Sequence, residues 1–501
     1  MSDSTTFSFT FRTAKVVLSH PNAQSFLAPV LSALRALLPA QNAYCIHAPA
    51  GMLIPSSTPQ PTQFVDLFIS FCHSMNLTIN DNLIVNFKRT LLKKQPLEIL
   101  QVSFDKNILQ AICRALIFVR TVKDLKIGGF TFSDLYLDIT RILMNNNTLE
   151  TLKVVNYTKK KNFSDFILSM PRSSIKSLTF QSITFQRSMI QSLVNSICIS
   201  PNLKHIGFVN CGFDSFVFGA IFDTPENFKN IESFEISKDE SEISLSFIPN
   251  IISFILVAGI TSLNLTEMAL DIALVFSSIE NTPDLEIHTL NLSGNYCSKL
   301  YKRGYTFPHT FEILKLAEVR WDGQTLCDFL TMQHFKSEIS LDLSSVSFPG
   351  STESEPFELL NGKIFSTKVS KFIWNNNFLT PTFLKFIEKN ESIRVLSYEM
   401  CSIPLDARND FLEALSNFIS NSSVTYLSLR GSLRTFKSKA IYALKKSLIK
   451  HDLFEELNIS DNVFCDKGIE ALGEIISQSN NIQYIKCDGE DPSSPDNILI
   501  F

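Results

Sequence analysis

The stretch LNISDNVFCDKGIEALGEII, residues 457–476, begins as an alternating strand and ends as an amphipathic helix, with Asn462 between the two. Leu457 and Ile459 alternate with Asn458 and Ser460 at the period of a half-buried strand. Ile469, Leu472, Ile475 and Ile476 then recur at helical spacing. Upstream, Ile287-His-Thr-Leu-Asn-Leu-Ser-Gly-Asn295 has the same frame as Phe454-Glu-Glu-Leu-Asn-Ile-Ser-Asp-Asn462: apolar-x-x-Leu-x-Leu-x-x-Asn. The frame fits Val122-x-x-Leu125-x-Ile127, Leu149-x-x-Leu152-x-Val154, Ile175-x-x-Leu178-x-Phe180, Leu203-x-x-Ile206-x-Phe208 and Ile231-x-x-Phe234-x-Ile236. Further on it fits Ile260-x-x-Leu263-x-Leu265, Phe311-x-x-Leu314-x-Leu316, Leu341-x-Leu343, Val369-x-x-Phe372-x-Trp374, Ile393-x-x-Leu396-x-Tyr398, Val424-x-x-Leu427-x-Leu429 and Ile482-x-x-Ile485-x-Cys487. Leu97-x-x-Leu100-x-Val102 reads as the first unit.

About fifteen units result, mostly 24 to 31 residues apart, and this is the period of the leucine-rich repeat, one strand and one helix per unit. The expected fold class is therefore α/β: a solenoid of the ribonuclease-inhibitor-like type, a horseshoe with its parallel sheet on the concave face and its helices outside. After each strand the chain must turn sharply, which leaves backbone groups needing partners. An inward Asn, or a small weak donor such as Cys, satisfies them. Asn295, Asn377, Asn462, Cys211 and Cys401 are read as this structural ladder.

The totals agree with a globular repeat chain of 501 residues: 45% hydrophobic, 19% charged and a formal charge of −4. With 45 basic against 49 acidic residues, no nucleic-acid partner is expected. The ten cysteines stand singly, with no CxxC pair and no zinc spacing, so they are read as reduced and no metal or other cofactor is expected. MSDSTTFSF lacks the basic and apolar regions of a leader, so the expected location is cytoplasmic. The most apolar segment, residues 247–260, is shorter than a membrane span and reads as a buried helix.

Residues 1–95 depart from the frame. Phe7 to Leu18 alternate as one strand, and Asn22 to Leu38 read as one amphipathic helix. Residues 48–62, rich in Pro, Ser and Thr, read as a linker, and Phe64 to Lys94 as two helices capping the solenoid. The division is 1–47 strand and helix, 48–95 linker and cap, 96–488 repeats, and 489–501 tail.

TFSFTFRTAKVVLSHPNAQSFLAPVLSALRALLPAQ resembles the last strand and long helix of the pleckstrin-homology-like domain in the CARMIL family, regulators of actin capping protein. FVDLFISFCHSMNLTINDNL resembles that family's linker, and PLEILQVSFDKNILQAICRALIFVRTVKDLKIGGFTFSDL its first repeats, so the resemblance runs over nearly the whole chain. It implies a non-enzymatic scaffold that holds a protein of the actin cytoskeleton, with peripheral contact at the plasma membrane. Most of the pleckstrin-like sandwich and the family's helical and disordered C-terminal region have no counterpart in this sequence, so capping-protein activity does not carry over, and lipid binding and the oligomeric state stay open.

No GxxxxGK[ST], HExxH or GxSxG occurs, and the eight histidines lie far apart, so no catalytic residue is assigned. The residues between the two strand leucines should face a partner: Lys126, Lys153, Asn264, Asn291, Lys315, Asp342 and Asn458. Their mixed charge, basic at Lys126 and Lys153, suits a modestly acidic protein surface. Lys159-Lys160-Lys161 and the pairs Lys88-Arg89 and Lys93-Lys94 read as solvated loops, too short for a membrane patch. Trp321 is the one large aromatic candidate for an exposed anchor, with core packing as its other reading. Two further functions fit such a fold, a regulator of a small GTPase and an enzyme inhibitor. GTPase-activating horseshoes begin almost directly with repeats, and the extra N-terminal elements favour the scaffold.

Overall fold

A computed structural model describes residues 6–10, 15–19, 60–100, 104–130, 134–238, 247–301, 304–349, 355–365, 368–404, 406–487 and 498–500. The chain forms two compact units, Met1–Asn230 and Ile231–Phe501. The helix expected over Asn22 to Leu38 and most of the linker lie outside the described residues.

The first unit contains β1 (Thr6–Thr10), β2 (Lys15–Ser19), α1 (Gln63–Ser74), α2 (Asp81–Leu92), β3 (Leu97–Leu100), α3 (Lys106–Phe118), β4 (Asp124–Gly128), α4 (Leu135–Asn145), β5 (Thr151–Val155), α5 (Phe163–Ser169), β6 (Ser177–Gln181), α6 (Arg187–Ile197), β7 (His205–Val209) and α7 (Ser215–Phe222). β3 to β7 pair in chain order, all parallel, with a helix in every crossover. Helix α1 lies against α3, and α2 against β3. β1 and β2 pair antiparallel, Thr6 opposite Ser19 and Thr10 opposite Lys15. The single strand expected over Phe7 to Leu18 is therefore a hairpin, because the alternation breaks into Arg12-Thr13-Ala14 before resuming at Val16.

The second unit contains β8 (Ser233–Ser237), α8 (Ile248–Ala258), β9 (Ser262–Asn264), α9 (Ile272–Glu280), β10 (Thr289–Asn291), β11 (Tyr296–Cys297), β12 (Ile313–Lys315), β13 (Arg320–Trp321), α10 (Gly323–Met332), β14 (Ile339–Asp342), α11 (Glu355–Glu358), β15 (Val369–Ile373), α12 (Pro381–Glu388), β16 (Val395–Ser397), α13 (Arg408–Asn421), β17 (Tyr426–Ser428), α14 (Ser438–Lys450), β18 (Glu456–Asn458), α15 (Asp466–Gln478), β19 (Tyr484–Lys486) and β20 (Ile498–Ile500). Ten strands, β8 to β10, β12 and β14 to β19, form one parallel sheet. β11 and β13 pair separately behind it. The last strand, β20, runs antiparallel on β19, Tyr484 opposite Ile500. Part of the stretch read as a tail thus adds a strand to the sheet's edge and pairs backbone groups that an edge strand would leave open.

Sheet register settles the repeat frame. Leu125 stands opposite Leu152, Leu290 opposite Leu263 and Leu314, and Leu457 opposite Leu427 and Ile485. All these side chains are buried, each worth about 1.5–3 kcal/mol of transfer free energy. The first repeat is displaced from the expected frame. Leu97 faces Leu125 and Ile99 faces Ile127, so the pair is Leu97-x-Ile99 and not Leu100-x-Val102. Burial gives the reason: Leu97 and Ile99 are in the core while Leu100 is half-buried.

A backbone device repeats as regularly as the leucines. From β4 to β18 of the main sheets, the residue four places after the first strand leucine or its equivalent is left-handed, with φ near 50–77°: Gly129, Asn156, Ser182 and Asn210 in the first unit, then Lys238, Glu267, Gly294, Glu318, Ser345, Asn376, Met400, Gly431 and Asp461 in the second. Its N–H donates to a carbonyl of the following repeat, as Asn156 does to Gln181 at 2.9 Å, Glu267 to Ser293 at 2.8 Å and Met400 to Arg430 at 2.7 Å. The turn thus carries the strand ladder one bond further while reversing the chain toward the helix. N-cap side chains start several of those helices, among them Asp105, Asp214, Asp271 and Asp322. Each unit is a leucine-rich-repeat solenoid.

Candidate functional site

Directly after each left-handed residue comes the ladder position. Asn295 is fully buried there; its Oδ1 accepts from the N–H groups of Met268 and Leu270, both at 3.0 Å, and its amide donates to Leu265 and Leu292 carbonyls at 2.8 Å. Asn377 accepts from Val346 N–H at 2.8 Å and donates to Leu343 at 2.7 Å. Asn462 accepts from Leu433 N–H at 2.8 Å and donates to Leu429 and Ile459 at 2.9 Å. Each asparagine binds the repeat before it, and Asn295 and Asn462 also close their own turns. Cys211 donates to Phe180 at 3.4 Å and to Val209 at 3.5 Å, and Cys401 to Trp374 at 3.2 Å, weak thiol bonds in place of the asparagine amide's. Burial pushes the Cys401 thiol up to about 12, which keeps it neutral. Ser432 is a further member, donating to Tyr398 at 2.5 Å and accepting from Cys401 N–H at 2.8 Å. It was legible as the eighth position after Val424 in the frame.

On the opposite side of the strands stand the residues between the paired leucines. In the first unit these are Glu98, Lys126, Lys153, Thr179 and Gly207. Lys126 and Lys153 are half-buried, not the freely exposed cations expected. Lys126 Nζ lies 3.0 Å from Glu98 Oε1, the neighbour that the misplaced first frame concealed. His205 sits half-buried with Nε2 3.5 Å from Thr179 Oγ1. At the start of the same strands, Lys123 and Lys176 hold Glu150 at 3.0 and 2.8 Å and keep its carboxyl below its ordinary range.

In the second unit the same row runs Glu235, Asn264, Asn291, Lys315, Asp342, Ile373, Ser397, Ser428, Asn458 and Lys486. Four of these are engaged in turns of their own backbone. Asn264, Asn291, Asp342 and Asn458 each accept from the N–H two residues on, at 3.0–3.2 Å, and the first three also from that residue's hydroxyl. These are Asx turns, written in the sequence as LNLT, LNLS, LDLS and LNIS. Asn264 also donates to Glu235 at 3.0 Å. Lys315 is exposed.

Between β15 and β18 the sheet face is hollowed, a depression of about 560 Å³. Its floor is Val395 and Ser397, small residues flanked by larger ones: Lys371 and Ile373 on one side, Tyr426 and Glu456 on the other. Glu399 and Glu455 complete the rim. Glu399 accepts from Ser428 at 2.8 Å, and Arg430, 3.9 Å from it, also reaches Asp461 at 2.5 Å. The row preceding each first leucine is what sequence reasoning omitted, and Tyr426 in TYLSL could have been found, since alternation puts it on the face of Ser428.

Other singled-out residues lie elsewhere. Trp321 is buried against Phe329, ring centres 5.3 Å apart, so it anchors no partner. Trp374 is buried too, stacked on Phe383 at 4.4 Å and donating to Phe378 at 2.9 Å. Lys160 reaches Gln186 at 2.8 Å and Lys161 lies 3.5 Å from Asp134, while Lys88, Arg89, Lys93 and Lys94 are exposed around the end of α2. No group of His, Cys, Asp and Glu suited to a metal ion occurs among the described residues, and no described helix is long and apolar enough to cross a membrane.

No protein-family model matches the chain, and no curated protein matches it. Solved structures do. The complex of Rad7 and Elc1 in yeast matches at 12% identity and a TM-score of 0.37, over 87% of this chain and 91% of that one. The TLR13–ssRNA13 complex matches at 15% identity and a TM-score of 0.29, over 76% of this chain and 48% of that one.

Proposed function

We propose that this chain is a non-enzymatic scaffold that holds a protein partner on the strand face of its repeats. One observation carries the reading: in the second unit that face presents a hollow rimmed by ionised and aromatic side chains, whereas the ladder asparagines and tryptophans are consumed inside the fold. Exposed Lys315, with Asn264, Asn291 and Asp342 beside it and Asn458 further on, extends the contact row of the second unit, and Lys126 and Lys153 occupy the corresponding row of the first. The resemblance to the CARMIL family names the class of partner, a protein of the actin cytoskeleton at the cell cortex, with the chain cytoplasmic and touching the membrane at most peripherally. It also supports the division into an N-terminal segment of 1–47, a linker and cap to 95, repeats to 488 and a tail.

Affinity capture from native lysate with quantitative mass spectrometry tests this. The wild-type chain should recover actin-cortex proteins, and a Lys315→Glu, Lys126→Glu, Lys153→Glu variant should lose them while melting like the wild type. Equal recovery by the variant would remove the strand face from consideration; recovery of a small GTPase would replace the scaffold by the regulator.

A further inference from the structure

The hollow on the second unit's sheet has a definite chemical preference. Three carboxylates, Glu399, Glu455 and Glu456, rim it against a single ammonium, Lys371. Lys371 stands at the far wall, on β15, with Val395 and Tyr426 between it and Glu456 on successive strands. Arg430 bridges Asp461, at 2.5 Å, and Glu399, at 3.9 Å, so the rim carboxylates left without an ion pair among the described residues are those of Glu455 and Glu456, and Lys486 projects from β19 outside the rim. Glu455 is exposed and Glu456 half-buried, and neither forms an ion pair among the described residues. The half-buried ring of Tyr426 stands directly beside Glu456.

We infer that this hollow receives an arginine side chain of the protein partner, its guanidinium lying against Tyr426 and held between Glu456, Glu455 and Glu399. A planar cation stacks on an aromatic face and takes carboxylates through a rigid fork of donors, which an ammonium cannot do. The floor residues are short, so the depth suits a long, thin side chain: Ser397 already spends its hydroxyl on Asn375 at 2.8 Å and Val395 offers only methyls to the stem. The partner's segment is therefore basic at this point, opposite to the acidic surface that Lys126 and Lys153 suggest at the other unit's face.

This rests on the strand face being the partner surface. The test uses capped hexa-arginine and hexa-lysine peptides with the full chain, by calorimetry in low salt. Hexa-arginine should bind, hexa-lysine more weakly; Glu455→Gln with Glu456→Gln should weaken hexa-arginine about tenfold, the effect of roughly 1.4 kcal/mol. Tyr426→Ala should remove the preference for arginine. Asp410→Asn with Glu413→Gln, two exposed carboxylates on α13 away from the sheet, should change nothing. No binding, an equal loss in the α13 variant, or equal affinity for the two peptides would each overturn the inference. If Lys315→Glu abolishes capture of the partner but the Glu455, Glu456 variant captures and binds hexa-arginine like the wild type, this site falls while the strand-face reading stands.

Discussion

In the first unit the position after the left-handed turn holds Phe130, Tyr157, Ile183 and Cys211, whereas in the second it holds Asn295, Asn377, Cys401, Ser432 and Asn462 among apolar members such as Val319. The two units close the same turn by different means. Strands β4 to β7 are five residues long and β9, β10, β12 and β16 to β19 only three, yet the same backbone bonds run on past the shorter strands, as from Leu265 to Asn291 and from Glu267 to Ser293, so what differs is the side chain at the ladder position. Phe130 and Ile183 pack there as apolar side chains, while Tyr157 packs and also accepts from the Leu135 N–H at 3.1 Å. A row of aromatic rings runs through the first unit, Tyr136 to Phe163 at 5.1 Å, Phe180 to Phe185 at 5.2 Å, Phe208 to Phe213 at 5.0 Å and Phe218 to Phe222 at 5.4 Å. That is where part of the 43 phenylalanines goes. Repeats of one length can thus be held together by ring packing or by buried amides, and the sheet face is unaffected because both devices lie on its inner side.

The contrast can be broken by mutation. Phe180→Ala should cost about 4 kcal/mol, typical of emptying a buried ring site, with protection lost in β5 to β7; denaturant unfolding with hydrogen exchange reads both. Asn295→Ala should cost about 3 kcal/mol, because buried N–H and C=O groups of two repeats lose partners at once. Asn291→Ala, four residues earlier, removes only a half-exposed Asx turn and should cost about 1 kcal/mol; a cost equal to that of Asn295→Ala would erase the distinction between inner and outer asparagines. Met400→Gly should stabilise by up to about 1 kcal/mol through relief of a left-handed non-glycine backbone, since its side chain is largely exposed. The smallest effect is chemical. Exposed Cys465, whose thiol is shifted downward by its hydrogen bond with Ser438, should be alkylated at pH 8 before Cys401, which burial holds at about 12 and which should react only on unfolding.

Much of this fold was legible because burial of paired leucines forces a period that no loop length disguises. The frame failed only where coincidence supplied a false apolar residue, Leu100, three places after Leu97. The left-handed turn left no trace, since Gly, Asn, Ser, Asp, Glu, Met and Lys all occupy it and the conformation is imposed by neighbouring repeats rather than by propensity. The ladder asparagines were legible from spacing, but the outward row was read only as polar. That Asn264, Asn291, Asp342 and Asn458 are spent on their own turns follows from the Ser or Thr two residues later, a pattern present in the sequence and overlooked. Lys126 looked free because its partner, Glu98, sat in the repeat whose register was wrong.

The measurement that bears most directly on the two modes of closure is residue-resolved hydrogen exchange on Asn295→Ala. The amides of Met268 and Leu270, which donate to the side-chain Oδ1 of Asn295, should exchange far faster than in the wild type, while those of Leu152 and Val154 in the first unit keep their protection. Unchanged exchange at Met268 and Leu270 would mean that the buried asparagine is not what closes the repeat.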